Sequence, residues 1–215
     1  MSTKTTLILS LALILIAAVF SAAVYSQLPN PMASHWGAND QVNGTISRFW
    51  GAFLMPLIAL GMLGLFLLIP AIDPLKANIV RFREAFNAFI VLMMVFLLYV
   101  HFLTMLWNLG YQSFSMSTAL LPAVGLIFIF AGLMMRKAKR NFFIGIRTPW
   151  TLSSDRVWDE THRLGSWIFI IAGVVTAFTG LLGPAGFPVM IAVILITVLV
   201  PIVYSYILYQ QETKA

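Results

Sequence analysis

Long apolar runs alternate with short polar intervals along the whole chain. Six runs approach or exceed the roughly 20 residues that a bilayer-spanning helix needs. They cover residues 5–26, 48–70, 85–107, 117–135, 164–182 and 189–209. The strands of a membrane barrel would instead alternate apolar and polar residues. The pattern therefore predicts an all-α integral membrane protein with six transmembrane helices.

The composition agrees with a membrane protein. Hydrophobic residues make up 60% of the 215 residues and charged residues only 9%, whereas a soluble domain carries about 25% charged residues. The mean hydropathy is +0.94. The chain has no cysteine, which excludes a disulfide framework, a thiolate zinc site and a cysteine nucleophile.

Positive charge is concentrated in two of the polar intervals. The net charge is +6, but most cations stand beside apolar segments, as is typical of membrane topology, so no direct nucleic-acid partner is expected. The intervals after helices two and four hold Lys76, Arg81, Arg83, Arg136, Lys137, Lys139, Arg140, Arg147 and Arg156. The positive-inside rule predicts that both termini and the loop 136–163 are cytoplasmic, in a multi-pass protein of the inner (cytoplasmic) membrane. The first apolar run is interpreted as a retained helix because it exceeds the apolar core of about 7–15 residues in a signal peptide.

The interval 27–47 is predicted to be an outer loop because it is rich in Pro, Gly and Asn. Within it, His35 and Asp40 are candidate metal ligands or a peptide-binding pair. The alternative is a structural cap over the helix ends, since Asn-Asp and Asn-Gly pairs are common turn formers.

His101 is the ionisable residue placed within a predicted span. A polar residue at membrane depth usually faces the bundle interior and suggests a function. The alternative is a structural hydrogen bond, through Thr104 or to a carbonyl of a neighbouring helix. If His101 approaches His35, an outward-facing pocket or metal site would follow, although three histidines in total argue against a dedicated catalytic zinc site.

The central segment, residues 141–165 (NFFIGIRTPWTLSSDRVWDETHRLG), is the longest polar-rich interval. Gly145 and Pro149 predict a defined turn, in which Thr148 is extended because it precedes proline. Ser153 or Ser154 is expected to cap a new helix. The alternative to a binding role for this segment is an interfacial hairpin that leads into helix five.

The charged residues of the central segment allow several pairings. Arg147 has a planar fork of donors that suits a carboxylate or a lipid phosphate, or a tie to Asp155 or Asp159. Asp159 and Arg163 stand at the spacing of a helical ion pair. Asp155, Asp159 and His162 share one helix face. These three residues suit acid–base chemistry, but a capped surface helix has the same residue pattern, and no Gly-x-Ser-x-Gly, His-Glu-x-x-His or phosphate-binding glycine loop occurs. No enzymatic activity is predicted and no cofactor is expected.

The motif Gly-Ile-Arg-Thr-Pro-Trp-Thr, followed by Ser-x-x-x-Trp and His-Arg-x-Gly, resembles the signature of the SdpI family of multi-spanning membrane proteins. The outer-loop sequence LPNPMASHWGANDQVNG resembles the domain of unknown function that commonly precedes it. The resemblance implies two units, residues 1–70 and 71–215. The matched positions are Asn141, Gly145, Arg147, Thr148, Pro149, Trp150, Trp158 and His162.

The resemblance implies an immunity protein and receptor without enzymatic turnover. The family's namesake gives immunity to a secreted peptide toxin and is understood to hold a transcriptional repressor at the membrane. The resemblance implies an outer surface that binds the peptide, for which His35, Asp40 and His101 are the candidates. It also implies an inner surface in the central segment that binds a cytoplasmic repressor. Membrane lipids are further partners. A transporter for a small molecule or ion, and a metal-binding membrane protein or enzyme with an outward-facing His site, remain alternatives.

Overall fold

The computed structural model describes residues 1–214, which form a bundle of helices with one small β-hairpin. In chain order the elements are α1 (Thr3–Val24), β1 (Met32–Trp36), β2 (Val42–Ile46), α2 (Arg48–Ile72), α3 (Lys76–Val80), α4 (Arg83–Asn108), α5 (Met116–Met135), α6 (Pro149–Ser153), α7 (Asp155–Thr179) and α8 (Gly186–Lys214). Short 3-10 turns, Tyr25–Gln27 and Gly180–Ala185, follow α1 and α7. The helices α1, α2, α4, α5, α7 and α8 are long and apolar enough to cross a membrane. The predicted all-α membrane fold with six spanning helices is confirmed.

One predicted helix boundary is wrong, and the predicted structured loop 27–47 contains a hairpin. Helix five was expected to begin at residue 164, but α7 begins at Asp155. The Ser154 hydroxyl accepts the Val157 N–H at 3.2 Å and caps the first turn, which confirms the predicted serine cap. The second half of the central segment is therefore part of a spanning helix. The interval 27–47 is also more ordered than a loop, because β1 and β2 pair antiparallel within it.

The spanning helices pack in two groups. The first group is α1 with α2 and α4, and the second is α5 with α7 and α7 with α8. One apolar core cluster, which includes Leu63, Phe86 and Trp158, joins the two groups at one end of the bundle. The division of the chain at residue 70 stays a prediction.

The helices α5 and α7 approach each other to backbone distance along several turns. A Cβ atom added to Gly125 would lie 2.4 Å from the carbonyl oxygen of Gly173, and one added to Gly173 would lie 2.5 Å from that of Gly125. About two turns further along α5, a Cβ at Gly132 would lie 2.7 Å from the carbonyl oxygen of Ser166. Small residues at such contacts let two membrane helices approach to backbone distance. The two helices therefore form a tightly packed pair.

The bundle has two chemically different ends. The hairpin end consists of β1, β2, residues 109–115 and residues 180–185. The basic end consists of residues 73–82 and 136–154 together with the N-terminus. The Met1 amino group lies 3.5 Å from the Glu84 carboxylate, and Asn87 donates to the Met1 carbonyl at 3.1 Å, which places the N-terminus at the basic end.

Candidate functional site

The first half of the central segment is irregular backbone held together by Asn141. Its amide nitrogen donates to the carbonyl oxygens of Lys139 and Ile144, both at 2.9 Å. Its amide oxygen accepts the N–H groups of Phe143 at 2.9 Å and Ile144 at 2.6 Å. Asn141 is completely buried. One side chain thus satisfies four backbone groups that no regular element would pair.

His162 fastens this irregular backbone to α7. The Ile146 N–H donates to His162 Nε2 at 3.0 Å, and the other ring nitrogen, Nδ1, lies 2.8 Å from the Trp158 carbonyl oxygen. Because Nε2 accepts, the proton of the neutral ring is assigned to Nδ1, which donates to that carbonyl. The Trp158 ring stacks on the imidazole at 4.0 Å and 18°, and its Nε1 donates to the Ala138 carbonyl at 3.0 Å. Both side chains are buried.

Gly145 is required by the same contact. Its φ of 114° lies in the left-handed region that favours glycine. A Cβ at this position would lie 2.4 Å from His162 Nε2. Two of the positions matched by the family motif are therefore explained by one close approach.

The Thr148–Trp150 turn connects the central segment to α8. Thr148 is extended, with φ −104° and ψ 162°, as predicted for a residue before proline, and it caps α6 in a reciprocal box with Thr151. Its hydroxyl also lies 3.0 Å from that of Ser205. After Pro149, which opens α6, the Trp150 ring lies 5.0 Å from that of Tyr206.

The predicted charge pairings of the central segment were wrong. Lys139 pairs with Asp159 at 3.2 Å and Arg140 pairs with Asp155 at 2.7 Å. Both acids therefore bind cations that stand directly before the central segment. Arg163 pairs with Glu160, one turn away, and not with Asp159, whose carboxylate binds Lys139.

Arg147 is exposed and is not tied to either aspartate. Its Nη1 donates to the Phe142 carbonyl at 3.0 Å, within its own loop. The Phe142 N–H in turn donates to the buried Asp73 carboxylate at 2.9 Å. Asp73 was not recognised from the sequence, because an acid in a basic interval resembles an ordinary surface residue. The rest of the Arg147 guanidinium is presented at the surface of the basic end.

At the hairpin end, Asp40 holds the hairpin to α5. Its carboxylate accepts the Ser117 N–H and hydroxyl, both at 2.9 Å, and the Ser115 hydroxyl. Asp40 has a φ of 59°, a conformation that Asp and Asn tolerate better than most residues. Burial by itself raises the pKa of the Asp40 carboxyl, but the hydrogen bonds from Ser115 and Ser117 outweigh it and lower the pKa below its usual value.

A second fastening joins the hairpin to α4. The Ala33 N–H donates to the Asn108 amide oxygen at 2.8 Å, and the Asn108 amide nitrogen donates to the Ala33 carbonyl at 3.0 Å. The Trp36 ring packs edge-on against Trp107 at 5.6 Å. The hairpin is thus fixed to both helix groups.

His101 is buried in the first helix group and bonds Ser21 of α1. The Ser21 hydroxyl donates to the Ala52 carbonyl at 2.7 Å and lies 2.8 Å from His101 Nε2. Because its proton is used on that carbonyl, the hydroxyl accepts the Nε2 proton of His101. The expected partner Thr104 instead donates to the Val100 carbonyl of its own helix. Ser21 was missed because a lone serine in an apolar run carries no sequence pattern of its own.

A cavity of about 490 Å³ lies beneath the hairpin. His35 and His101 both line it, whereas Asp40 is not among its lining residues. That the pocket faces outward stays a prediction. No Asp, Glu, Lys or Arg lines it within residues 1–214. The remaining walls are mainly apolar: Trp36, Trp50, Leu54, Met55, Leu120, Leu121, Val124, Phe187 and Met190. On the other side of His101 lies a void of about 10 Å³ whose remaining lining is apolar.

A metal centre has no donor set here. Within the described part of the chain, no three His, Cys, Asp or Glu side chains come close enough together to hold a metal ion. The exposed His35 uses Nδ1 in a hydrogen bond with the Asn43 amide oxygen. The cavity therefore offers shape and apolar surface with a few neutral polar groups.

The chain was compared with known proteins. Residues 137–205 match the SdpI/YfhL protein family, and residues 12–60 match a domain of unknown function, DUF1648. The resemblance to the SdpI family is confirmed. The immunity protein SdpI of Bacillus subtilis (strain 168) is 25% identical over 205 residues, which are 95% of this chain and 96% of that protein. No solved structure matches significantly.

The two family matches cover most of the candidate residues. With six helices able to span a membrane, the protein is a multi-pass cell-membrane protein. All eight motif positions fall within the SdpI match, and His35 and Asp40 fall within the DUF1648 match. His101 lies in neither. The binding roles of these residues stay predictions.

Gly145→Ala is expected to destabilise the basic end more than the same change at Gly110. Both glycines have a positive φ, but nothing lies within 4 Å of a Cβ at Gly110. The difference between them therefore isolates the collision with His162, which should cost roughly 1–3 kcal/mol, as overpacking usually does. Unfolding in a denaturing-detergent titration measures it, and equal losses would contradict the close approach.

Asp40→Asn is expected to lower the melting temperature at neutral pH, with the gap from wild type closing in acid. A carboxyl whose pKa is lowered on folding contributes stability that is present above its unfolded pKa, near 3.8, and is lost as pH falls through the folded pKa. Asparagine tolerates the left-handed backbone of Asp40, so the change mainly removes the charge. Asp155→Asn, at a largely exposed ion pair, is the control and should shift little. A gap that stays constant between about pH 6 and pH 3 would contradict the role of the carboxylate.

Proposed function

We propose that the protein gives its cell immunity to a secreted antimicrobial peptide by binding an apolar part of that peptide in the cavity beneath the hairpin. The observation that carries this proposal is the cavity itself, about 490 Å³ and walled by apolar side chains. Ligand pockets commonly measure about 300–1,000 Å³ and are mostly apolar with a few polar groups. The curated relative is an immunity protein and aligns over nearly the whole chain.

The cavity suits an uncharged ligand segment. A charged group placed there would lose its hydration without finding an opposite charge, which is costly. His35, His101 and Thr104 supply neutral polar groups for orientation. A peptide that acts on membranes carries apolar residues of the kind that such walls accommodate.

The distribution of charge supports one orientation of the protein. The cations of the basic end favour the cytoplasm, so we take the hairpin end and its cavity to lie at the outer side of the membrane. A peptide secreted by the same or a neighbouring cell arrives from that side. The cavity thus faces the source of the ligand.

Leu121→Trp is expected to abolish protection, because the larger side chain fills the cavity that Leu121 lines. The matched control is Leu126→Trp on the same helix, where Leu126 is 58% exposed and lies outside the cavity lining. Sensitive cells that express each variant at equal membrane levels are challenged with membrane-active secreted peptides, and survival is counted. Full protection by Leu121→Trp would remove the cavity from the mechanism, and no protection by wild type against any peptide would contradict immunity.

We also propose that the basic end recruits a cytoplasmic transcriptional repressor through Arg147. This exposed guanidinium uses one donor within its loop, and a rigid scaffold of buried Asn141, Trp158 and His162 supports the loop. A planar fork presented in this way suits a carboxylate of a protein partner. The α5–α7 pair reaches from the Asp40 contact to this loop, which provides a physical connection between peptide and repressor.

Arg147→Ala is expected to abolish peptide-dependent capture of a DNA-binding protein while insertion in the membrane persists. Arg147→Lys should also lose most capture, because lysine keeps the charge but lacks the fork. Arg156→Ala, at another exposed arginine of the central segment, is the control and should capture normally. Co-purification with mass spectrometry measures the captured protein, and unchanged capture by Arg147→Ala would exclude that residue.

A further inference from the structure

The cavity beneath the hairpin has a roof that several contacts hold in place. Residues 33–38 line it from above, and the hairpin that carries them is fastened at Ala33 to Asn108 and at Asp40 to Ser115 and Ser117. The Trp36–Trp107 contact adds an aromatic fastening between these two points. Entry from water would require these contacts to open.

The side of the cavity is built differently. One wall comes from α2, with Trp50 and Leu54 one turn apart, and the facing wall comes from the start of α8, with Phe187 and Met190. The helix α8 packs on α7 and on the preceding turn, and within residues 1–214 it has no comparable packing or hydrogen bond with α2. The two walls therefore stand beside each other without being joined.

The edges of this gap are apolar and exposed. Trp50 is 48% exposed, Leu54 is 38% exposed and Phe187 is 49% exposed, although all three also line the cavity. The roof also has exposed lining residues, Ser34, His35 and Ala38, but hydrogen bonds fasten their hairpin to α4 and α5. At the side no comparable packing joins the two walls within the described residues, so the exposed edges there mark an opening. Trp50 and Phe187 stand in the first turns of α2 and α8, two helices that can span a membrane, so the opening lies where these helices would enter the bilayer.

We propose that the ligand of this cavity enters sideways from the bilayer, through a portal between α2 and α8 that is edged by Trp50, Leu54 and Phe187. The portal follows from the fold alone; only the occupant, an uncharged apolar stretch of a peptide dissolved in the outer leaflet, rests on the proposed function. Such a stretch has already left water, so it passes apolar edges without a desolvation cost. The protein thus takes its ligand from the membrane that the ligand attacks.

The absence of cysteine in the chain allows the portal to be tested with a single introduced thiol. Thr104 lines the cavity, and its hydroxyl bonds only its own helix. Thr104→Cys therefore puts a thiol in the cavity with little change to the packing. The reporter in proteoliposomes is treated with an acyl maleimide dissolved in the lipid, and separately with a charged, water-soluble thiosulfonate. We expect the lipid reagent to reach its labelling plateau while the charged reagent, with its rate scaled to a free thiol, is at least about tenfold slower.

Paired variants locate the path. Leu54→Lys, which puts a charge on the portal edge, is expected to slow labelling by the lipid reagent about tenfold. Leu57→Lys on the same helix is the matched control, because Leu57 is 50% exposed but does not line the cavity, and it should leave the rate unchanged. Asp40→Asn should accelerate only the charged reagent, since it loosens the roof.

Three outcomes would overturn the portal: faster labelling by the charged reagent, equal slowing by Leu54→Lys and Leu57→Lys, or labelling by neither reagent. The occupant is tested separately, by asking whether a protective peptide shields the thiol from the lipid reagent. Shielding by the peptide supports it as the occupant. No shielding by the peptide, with portal-dependent labelling intact, would overturn the peptide as occupant and with it the proposed function, but not the portal.

Discussion

The irregular backbone at the basic end must satisfy its polar groups beside apolar helix ends, where water is scarce. Asn141 does this for four backbone groups, and His162 does it for the Ile146 N–H and the Trp158 carbonyl. Gly145 has no side chain because His162 occupies the space that one would take. The most recognisable motif of the chain therefore serves first to hold an irregular loop in place at the end of the helix bundle. Arg147 and Pro149 are the exposed residues among the matched positions, and Arg147 is the charged one.

The two ends of the bundle are connected by the α5–α7 pair. Gly125 and Gly173 bring α5 and α7 to backbone distance, so the two helices form one tightly packed pair. Asp40 holds α5 at the hairpin end, and the central segment begins beyond the other end of α5 and continues into α7. A ligand that has different affinity for two positions of this pair would change both ends, which is the requirement for signalling.

The sequence was sufficient for the spanning helices because hydropathy and length determine them. Local rules also predicted the extended Thr148 and the Ser154 cap correctly, since both depend on neighbours in the chain. The partners of Asp73, Ser21 and Asp40 were not predictable, because each bonds an element distant in sequence. The sequence suggested a cavity only for the case that His35 and His101 lie close together. Its apolar walls and its open side depend on how far α2 stands from α8, which no local pattern encodes.

The central claim is that the cavity beneath the hairpin receives the apolar part of a peptide. The most direct measurement is photo-crosslinking in native-like membranes, with a peptide that carries a photoreactive apolar side chain, followed by mapping of the attachment sites by mass spectrometry. The account predicts attachment to Leu120, Leu121, Val124 and Met190, which line the cavity. Attachment confined to lipid-facing side chains such as Leu126 and Ile171, or to the outer surface of the hairpin, would contradict it.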